Sequence, residues 1–248
     1  MNKPVIQVKD LRKVYGAGEA TVNALDGVDL VIMPGEFVAI MGPSGSGKST
    51  LMNIIGCLDR PTTGEYLLNG QDVSKLDKNQ LAGIRNQHLG FIFQSFNLLP
   101  RLSALENVRL PMIYQFDSDD STQAQKLRAE EMLVDVGLGD RVHHRPNELS
   151  GGQQQRIAIA RALINQPDLI LADEPTGNLD SHSSLDILNV LHQLHDQGVT
   201  VVVVTHAPDV ASHADRIIFM LDGKIKSDGD DRNTPYMGKT LTEEVGVG

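Results

Sequence analysis

The chain has 248 residues, of which 40% are hydrophobic and 22% are charged, and its formal net charge is −10 at pH 7. Such a chain can bury a sizeable core, which excludes a protein disordered throughout, and its acidic balance argues against a nucleic-acid surface, where a basic stripe is expected. Its apolar runs fall far short of the roughly 20 residues that cross a membrane. We therefore expect any membrane role to come through a partner protein.

The predicted elements begin with antiparallel strands. Residues 1 to about 40 alternate apolar and polar positions, with Gly and Pro between the segments, a pattern typical of such strands. Beyond them, short apolar runs bounded by turn residues indicate strands buried on both faces: "FVAIM", "GFIFQ", "DLILAD", "TVVVVTH" and "RIIFML". Helical patterns lie between these runs, at 153–165 and 183–197. The alternation predicts an α/β core with a mostly parallel sheet.

The segment from about 97 to 165 has a different character. It shows helical periodicity through "AQKLRAEEMLVDVGL" and no convincing strand, so we expect a helical subdomain inserted into the core. Within it, the acidic stretch "QFDSDDSTQAQ" is expected to be a solvated connector that caps the next helix. Residues 1–225 are thus predicted to form one domain, and residues 226–248, which lack any period, a polar C-terminal tail.

The strongest local motif is "GPSGSGKST", which follows the run "FVAIM" directly and matches the phosphate-loop pattern G-x-x-x-x-G-K-[ST]. Its glycines let backbone N–H groups point at a phosphate chain, and the helix that begins near Lys48 adds its positive end. Lys48 is expected to reach the β- and γ-phosphates, and Ser49 to offer a hydroxyl to Mg²⁺. The predicted nucleotide-binding residues of this loop are Gly42, Pro43, Ser44, Gly45, Ser46, Gly47, Lys48, Ser49 and Thr50.

Two carboxylates end a buried strand in "LILADEP", residues 169–175. Carboxylates in such a place are costly unless a cation or hydrogen bonds compensate them, and a metal-bound nucleotide does so. Asp173 is therefore predicted to hold Mg²⁺ through water, and Glu174 to polarise an attacking water as general base. The alternative is a plain strand end that leads into a turn at Pro175.

Three further residues fit the same site. Gln94 ends the run "GFIFQ", where a neutral amide can contact both Mg²⁺ and water. His206 follows "TVVVVT", and its ring is expected to contact the γ-phosphate and orient the water as a second catalytic group, against the alternative of a satisfied structural histidine. Tyr15, in "KVYG", is predicted to stack on adenine, and the alternative is an ordinary turn tyrosine.

The order of these motifs, together with "LSGGQQQR" at 149–156 and "GNLD" before residue 181, resembles that of ATP-binding-cassette (ABC) ATPases. The resemblance covers about residues 4–225. It implies a phosphate-loop core of the RecA-like type with a parallel sheet, an antiparallel β subdomain, and a helical subdomain that carries "LSGGQ". It also implies ATP hydrolysis coupled to transport, with ATP and Mg²⁺ as cofactors.

The resemblance further implies that the chain works with a second copy of itself. In the family two cassettes face head to tail, and the "LSGGQ" of one closes over the ATP held by the other. A serine at a helix start followed by glycines presents a hydroxyl, N–H groups and a helix dipole to an anion. Asp180 of "GNLD" is expected at the dimer seam. The residues expected to contact the second copy's nucleotide are Ser150, Gly151, Gly152, Gln153 and Asp180.

A finer resemblance, to the MacB and LolD group, rests on "FQSFNLLPRLSALENVRLPMIY", "GCLDRPTTGEY" and "LADEPTGNLDS". It implies an ATPase bound peripherally at the cytoplasmic face of the inner membrane, which powers export or extrusion through a MacB- or FtsX-like permease. Fused members carry the permease on the same chain, whereas here we expect a separate one. A periplasmic adaptor and an outer-membrane channel are further candidate partners.

Other functions remain open at this point. The same cassette can serve an FtsE-like ATPase that regulates a membrane partner, or a LolD-like lipoprotein-release system, and the motifs leave the transported substrate open. A DNA-repair, chromosome or ribosome-associated ABC ATPase is disfavoured by the compact spacing from Gly42 to "LSGGQ", by the single cysteine and by the net negative charge. No nucleic-acid partner is therefore predicted.

Overall fold

A computed structural model describes residues 3–16, 18–115 and 120–229 of the chain. Its strands are β1 (Ile6–Tyr15), β2 (Val22–Ile32), β3 (Phe37–Met41), β4 (Thr63–Leu68), β5 (Gln71–Asp72), β6 (Leu89–Phe93), β7 (Leu169–Asp173), β8 (Thr200–Val204), β9 (Arg216–Leu221) and β10 (Lys224–Gly229). Its α-helices are α1 (Lys48–Ile55), α2 (Lys78–His88), α3 (Ala104–Ile113), α4 (Thr122–Asp135), α5 (Gly151–Leu163), α6 (Ser181–Asp196) and α7 (Pro208–Ala211).

The strands form two sheets. The larger has the order β10-β9-β3-β8-β7-β6, and all its neighbours are parallel except β10 against β9. Every residue of β3 and β8 is buried, because helices cover both faces of a parallel sheet and its strands are therefore continuously apolar. The smaller sheet is antiparallel, in the order β2-β1-β4-β5. The predicted α/β core with a mostly parallel sheet is confirmed, whereas β4 and β5 were not predicted.

Parallel strands end at a common edge of the sheet, and this edge collects the polar motifs. The phosphate-loop motif, residues 42–50, follows β3; Asp173 ends β7 and Glu174 comes next; Thr205 and His206 follow β8. Because β8 lies between β3 and β7, residues that are far apart in the sequence meet here. Ligands of such sheets bind outside the carboxyl ends of the strands, so this edge is where a site is expected.

Three helices pack with one another beside the larger sheet. Val108 of α3, Leu133 of α4 and Ile157 of α5 are fully buried in one apolar cluster. The described residues from 97 to 165 carry these helices and no strand. Part of the acidic connector, residues 116–119, lies outside the described residues, but its end behaves as expected, because the hydroxyl of Ser121 caps α4 by accepting from the N–H of Ala124 at 3.2 Å.

The chain continues as a strand beyond the predicted domain boundary at residue 225. β10 pairs with β9 from Lys224↔Leu221 to Gly229↔Ile217, so the prediction of a tail from residue 226 is wrong for residues 226–229. The reason is a tight turn at Asp222–Gly223, both with positive φ, which folds a weakly apolar segment back onto β9. Residues 230–248 lie outside the described residues. No helix in the described part of the chain is long and apolar enough to cross a membrane.

Candidate functional site

The phosphate loop is shaped by glycines that no other residue can replace. Gly42 has φ 148°, and a Cβ there would lie 2.2 Å from the carbonyl oxygen of Met220. Gly47 caps α1 with φ 100°, and a Cβ there would lie 2.5 Å from the carbonyl oxygen of Ala24. No side chain caps α1, so its first N–H groups are available to an anion. The loop therefore has the backbone of a phosphate cradle.

The polar side chains of this loop also fit an anion. The ammonium of Lys48 donates to the carbonyl oxygens of Gly42 at 2.7 Å and Pro43 at 2.8 Å, where a phosphate would compete for it. The hydroxyl of Ser46 is buried, with its residue 2% exposed, and has no hydrogen-bond partner among the described residues. A buried polar group left without a partner is unfavourable, and a phosphate oxygen would satisfy it. The residues that line this cleft of about 460 Å³ include Ser44–Thr50, Val22, Asn23 and Ala24.

An acidic pair faces the lysine across the edge of the sheet. Burial lowers the pKa of Lys48, and the charges of Glu174 and Asp173 partly oppose this effect. Burial also raises the pKa of Asp173; the charge of Glu174 raises it further, and that of Lys48 lowers it. These mutual effects place the three charged groups in one cluster. A divalent cation would offset the unfavourable burial of the Asp173 charge.

Glu174 is held in an unusual backbone conformation. Its φ is 45°, a left-handed value that costs a non-glycine residue about 1 kcal/mol or more. The surroundings compensate: its N–H donates to the carbonyl of Val204 at 2.8 Å, and its own carbonyl accepts from the N–H of Gly177 at 3.0 Å. Such strain persists where neighbouring structure over-determines it and is common at functional sites. The left-handed backbone conformation of Glu174 directs its side chain toward the end of β8.

The Glu174 carboxylate accepts three hydrogen bonds from the end of β8. The donors are the hydroxyl of Thr205 at 2.9 Å to Oε2, and the N–H of His206 at 2.9 Å and Nδ1 of His206 at 2.5 Å, both to Oε1. An ionised carboxylate only accepts, so Nδ1 carries the proton and Nε2 of a neutral ring is an acceptor. His206 is 75% exposed at its side chain. Nε2 is therefore available to accept from a water, whereas donating to a phosphate requires an imidazolium.

Gln94 and Tyr15 are the outer members of the predicted site. The side-chain NH₂ group of Gln94 donates to Oδ1 of Asn178 at 3.2 Å, and the backbone carbonyl of Gln94 accepts from Nδ2 of Asn178 at 3.0 Å. This pairing fixes Gln94 against the loop that follows Glu174. The hydroxyl of Tyr15 interacts with the side chain of Thr50, which places the tyrosine beside the first turn of α1.

The second group of predicted residues surrounds the start of α5. The hydroxyl of Ser150 accepts from the N–H of Gln153 at 3.3 Å, and the Gln153 side chain accepts from the N–H of Ser150 at 3.0 Å, which is a capping box. A Cβ at Gly152 would lie 3.0 Å from the Ser183 hydroxyl. Asp180 caps the neighbouring helix α6 by accepting from the N–H of Ser183 at 2.9 Å. The starts of α5 and α6 thus lie side by side.

The structure divides the predicted residues into two clusters. We call the phosphate loop with Lys48, Asp173, Glu174 and His206 the phosphate cluster, and residues 150–153 with Asp180 the signature cluster. The sequence reasoning missed Thr205 and Asn178, which hold Glu174 and Gln94. Their signals were weak: Thr205 immediately precedes His206, and Asn178 lies in the quoted "GNLD".

Comparison with known proteins identifies the family to which this sequence is similar. A model of the family described as ABC transporter matches residues 25–177. The macrolide export ATP-binding/permease proteins MacB of Hyphomonas neptunium and Bdellovibrio bacteriovorus are 53% and 55% identical over 94% and 97% of this chain. The chain spans only 36% of the length of each. An uncharacterized ABC transporter ATP-binding protein of Thermotoga maritima is 53% identical over 96% of this chain and 100% of its own length.

Solved structures show the same fold. Two dimeric structures of MJ0796, a bacterial ABC transporter cassette, have TM-scores of 0.83 and cover 90% of this chain and 97% of that one. Their sequence identities to it are 49% and 50%, and one is a post-hydrolysis state bound to ADP and Pi. The predicted fold, including a phosphate-loop core with an antiparallel sheet beside it, is confirmed.

Proposed function

The chain belongs to the ABC transporter family and is an ATPase of its MacB/LolD-like group, and we propose that it powers export or extrusion through a MacB-like permease. We place it at the cytoplasmic face of the inner membrane, bound peripherally to that permease. One observation carries the proposal. The nucleotide machinery is divided into a phosphate cluster and a signature cluster: among the described residues, Ser150 and Gln153 bond to each other and Asp180 bonds to Ser183, rather than to the phosphate cluster.

The division is the basis for a head-to-tail dimer driven by ATP. Ser150 and Asp180 are exposed, and the capping of α5 by Ser150 leaves the positive end of that helix facing outward. In a head-to-tail pair, each signature cluster would close over the ATP bound to the other copy's phosphate cluster. The solved structures of MJ0796, a cassette with 49–50% identity, are dimeric, which supports self-association of this chain. The monomer would then carry two half-sites.

The proposed reaction uses groups that the geometry already holds in place. Glu174 is the base that takes a proton from the attacking water, and Nε2 of His206 orients that water by accepting a hydrogen bond. Lys48, the N–H groups of the phosphate loop and the second copy's Ser150 stabilise the negative charge on the γ-phosphate. Because Thr205 and His206 together donate three hydrogen bonds to Glu174, the base is preorganised before nucleotide arrives.

The residues also fit a Mg²⁺ ion accompanying ATP. Ser49, Gln94 and Asp173 offer the hard oxygen ligands that Mg²⁺ prefers, with Asp173 acting through water. The pKa of Asp173 is raised by burial and by Glu174, so a cation would relieve an unfavourable charge. When bound, the ion would supply neutralisation of the charge on the β- and γ-phosphates.

A groove beside β6 offers a docking surface for the permease. Its volume is about 630 Å³, and Phe91 and Phe93 stack in it with ring centroids 5.7 Å apart. Arg161 on its wall donates only to the carbonyls of Phe96 and Asn97, at 2.8 and 2.6 Å, and burial lowers the pKa of Arg161. No carboxylate is among the described residues that line the groove. We infer that a permease segment with an apolar face and an acidic side chain docks here.

A mixing experiment tests the composite site. Lys48→Ala and Ser150→Arg chains should each hydrolyse ATP at least about 100-fold more slowly than wild type. In a heterodimer of the two, the intact Lys48 of one chain meets the intact Ser150 of the other, so phosphate release should return when the proteins are mixed. The matched control mixes Lys48→Ala with Glu174→Gln, which damages both phosphate clusters. Failure of the first mixture to recover, or equal recovery by the control, would contradict the dimer.

The export assignment is tested by the membrane protein that co-purifies. The wild-type chain should capture a MacB-like permease, and Tyr114→Asp at the groove should weaken that capture. Leu127→Asp on α4, a side chain of comparable exposure, should not. Capture of a regulator of cell-wall hydrolases instead of an export system would replace export with an FtsE-like role, and equal loss with both variants would remove the groove from the proposal.

A further inference from the structure

The loop after α1 contains a carboxylate to which the ATPase motifs assign no role. This is Asp59, in the segment "GCLDRPTTGEY". We propose that Asp59 and Lys13 are positioning residues, which hold the ring of Tyr15 in the orientation in which it stacks on the adenine of ATP. The inference rests on the proposed nucleotide site and adds to it the side chains that determine where the base lies.

Both positioning residues contact Tyr15 directly. The Tyr15 hydroxyl donates to Oδ2 of Asp59 at 2.9 Å, and the Lys13 ammonium lies 2.8 Å from the same oxygen. The ammonium also lies over the Tyr15 ring, 5.0 Å from its centroid. The carboxylate thus joins the hydroxyl end of the tyrosine to a cation above its ring. An interaction of this cation–π type fixes the ring as well as its hydroxyl.

The backbone fixes these positioning residues in turn. Lys13 donates to the carbonyl of Arg60 at 2.7 Å, and the N–H of Arg60 donates to Oδ1 of Asp59 at 2.7 Å. The N–H of Asp59 donates to the carbonyl of Asn53 in α1 at 3.1 Å. Partial burial acts to raise the pKa of Asp59, but the hydrogen bonds from Lys13, Arg60 and Tyr15 outweigh it, and the pKa lies below its ordinary value. The Asp59 carboxylate is therefore ionised at neutral pH.

The position of the ring matches that of a base-stacking platform. Tyr15 pairs across the strands with Val22, and Val22 lines the cleft of the phosphate loop. The tyrosine is tethered at its hydroxyl and yet 44% exposed, whereas the Lys13 side chain is only 12% exposed. One ring face lies under the lysine, so a base must stack on the other. Holding the ring in advance removes an ordering cost from nucleotide binding.

Binding of two ligands separates this role from a general structural one. MgATP and inorganic tripolyphosphate share the phosphate chain, but only ATP has a base, so calorimetric titration of both isolates the contribution of Tyr15. Asp59→Ala should weaken ATP binding about fivefold, a part of what one stacked base contributes, and leave tripolyphosphate binding unchanged. The same change made in a Tyr15→Ala chain should have no further effect. Asp72→Ala, a surface carboxylate bonded to Ser74, is the matched control and should bind both ligands as wild type does.

Other outcomes of these titrations would contradict the positioning role of Asp59 and Lys13. Equal weakening of both ligands by Asp59→Ala, or the same additional loss in the Tyr15→Ala chain, would assign Asp59 to the structure of α1 and overturn the inference. If Asp59→Ala does not fold, Lys13→Met carries the same comparison, because it keeps most of the stem and removes the charge. A Tyr15→Ala chain that binds ATP as tightly as wild type would overturn the proposed stacking itself. Loss with Tyr15→Ala but with neither Asp59→Ala nor Lys13→Met would overturn only the positioning role.

Discussion

The two clusters that share the proposed reaction are built in opposite ways. In the phosphate cluster, burial lowers the pKa of Lys48 and raises that of Asp173, and Glu174 has a left-handed backbone. In the signature cluster, Ser150 and Asp180 are ordinary helix caps. Hydrogen bonds from Ser183, through its backbone and then its side chain, lower the pKa of Asp180, so its ionised form is favoured.

The phosphate cluster contains residues whose pKa values or backbone are perturbed even without a ligand, whereas the residues of the signature cluster have ordinary helix-cap geometry. Desolvated charges and backbone strain destabilise the folded chain and persist at sites where a ligand or a reaction uses them. A helix cap whose hydrogen bonds are made does not destabilise the folded chain. The structure of a single copy therefore does not distinguish Ser150 from any other helix cap. The chemistry of Lys48 or Glu174 is therefore visible in one copy, whereas that of Ser150 depends on what the cap meets.

The largest expected effect is on the phosphate cluster. Glu174→Gln keeps the side-chain length and an oxygen acceptor for the two His206 donors, and its NH₂ group can donate to the Thr205 hydroxyl. The change removes the base, so hydrolysis should fall by about 10²–10⁴-fold while ATP still binds. The ATP-bound dimer should then accumulate. Phosphate release and light scattering after size exclusion measure the two consequences. Turnover close to that of wild type would show that Glu174 is not the base.

The next prediction compares two caps of the same design. Ser103 caps α3 with Glu106 in a capping box, as Ser150 caps α5 with Gln153. Ser103→Ala and Ser150→Ala should each lower the free energy of unfolding by about 1 kcal/mol. Only Ser150→Ala should also slow hydrolysis, by about tenfold or more, because it removes a donor to the second copy's phosphate. Denaturant titration and phosphate release measure the two quantities, and equal slowing by both variants would reduce the role of Ser150 to helix stability.

The smallest effect concerns the stability cost of the phosphate cluster. The folded-state pKa of Asp173 is raised, so its stabilising contribution is complete below the unfolded pKa and is lost as the pH rises through the folded pKa. Near neutral pH the ionised carboxylate therefore destabilises the fold. Asp173→Asn without nucleotide or Mg²⁺ should raise the melting temperature by roughly 1–3 °C, a modest shift because solvent still screens a partly buried group.

The pH dependence of that gain provides the control. The difference in melting temperature between Asp173→Asn and wild type should narrow as the pH is lowered, because wild-type Asp173 becomes protonated and neutral like asparagine. The same variant should lose the added stability that Mg²⁺ and ATP give the wild type. A lower melting temperature at neutral pH would show that the Asp173 charge is already compensated within the chain.

Most of the fold was predictable because its signals are local. Continuous apolar runs marked β3, β6, β7, β8 and β9, and the phosphate loop is nine consecutive residues. The strand β4 was missed because its first residues, "TGE", are mostly exposed and its burial becomes regular only at the end. It forms by pairing with β1, a contact that a period within one segment does not reveal.

The contacts within the site were less predictable than its residues. Glu174 and His206 were each identified at a strand end, but their hydrogen bond depends on β7 and β8 being neighbours in the sheet. Sequence reasoning directed the His206 ring to the γ-phosphate, while the structure directs Nδ1 to Glu174 and leaves only Nε2 free for that role. The sequence indicates Asp59 only as a member of the motif "GCLDRPTTGEY", because the hydrogen bond that it accepts from Tyr15 joins residues 44 positions apart.

Helix α5 connects the signature cluster to the groove beside β6. Ser150 caps its start, and Arg161, near its end, holds the carbonyls of Phe96 and Asn97. Arg161 lies eleven positions after Ser150, which at a rise of 1.5 Å per residue is about 16 Å of continuous helix. Because the helix between them is continuous, we expect a displacement of Ser150 to move the wall of the groove or to break the two hydrogen bonds that Arg161 donates.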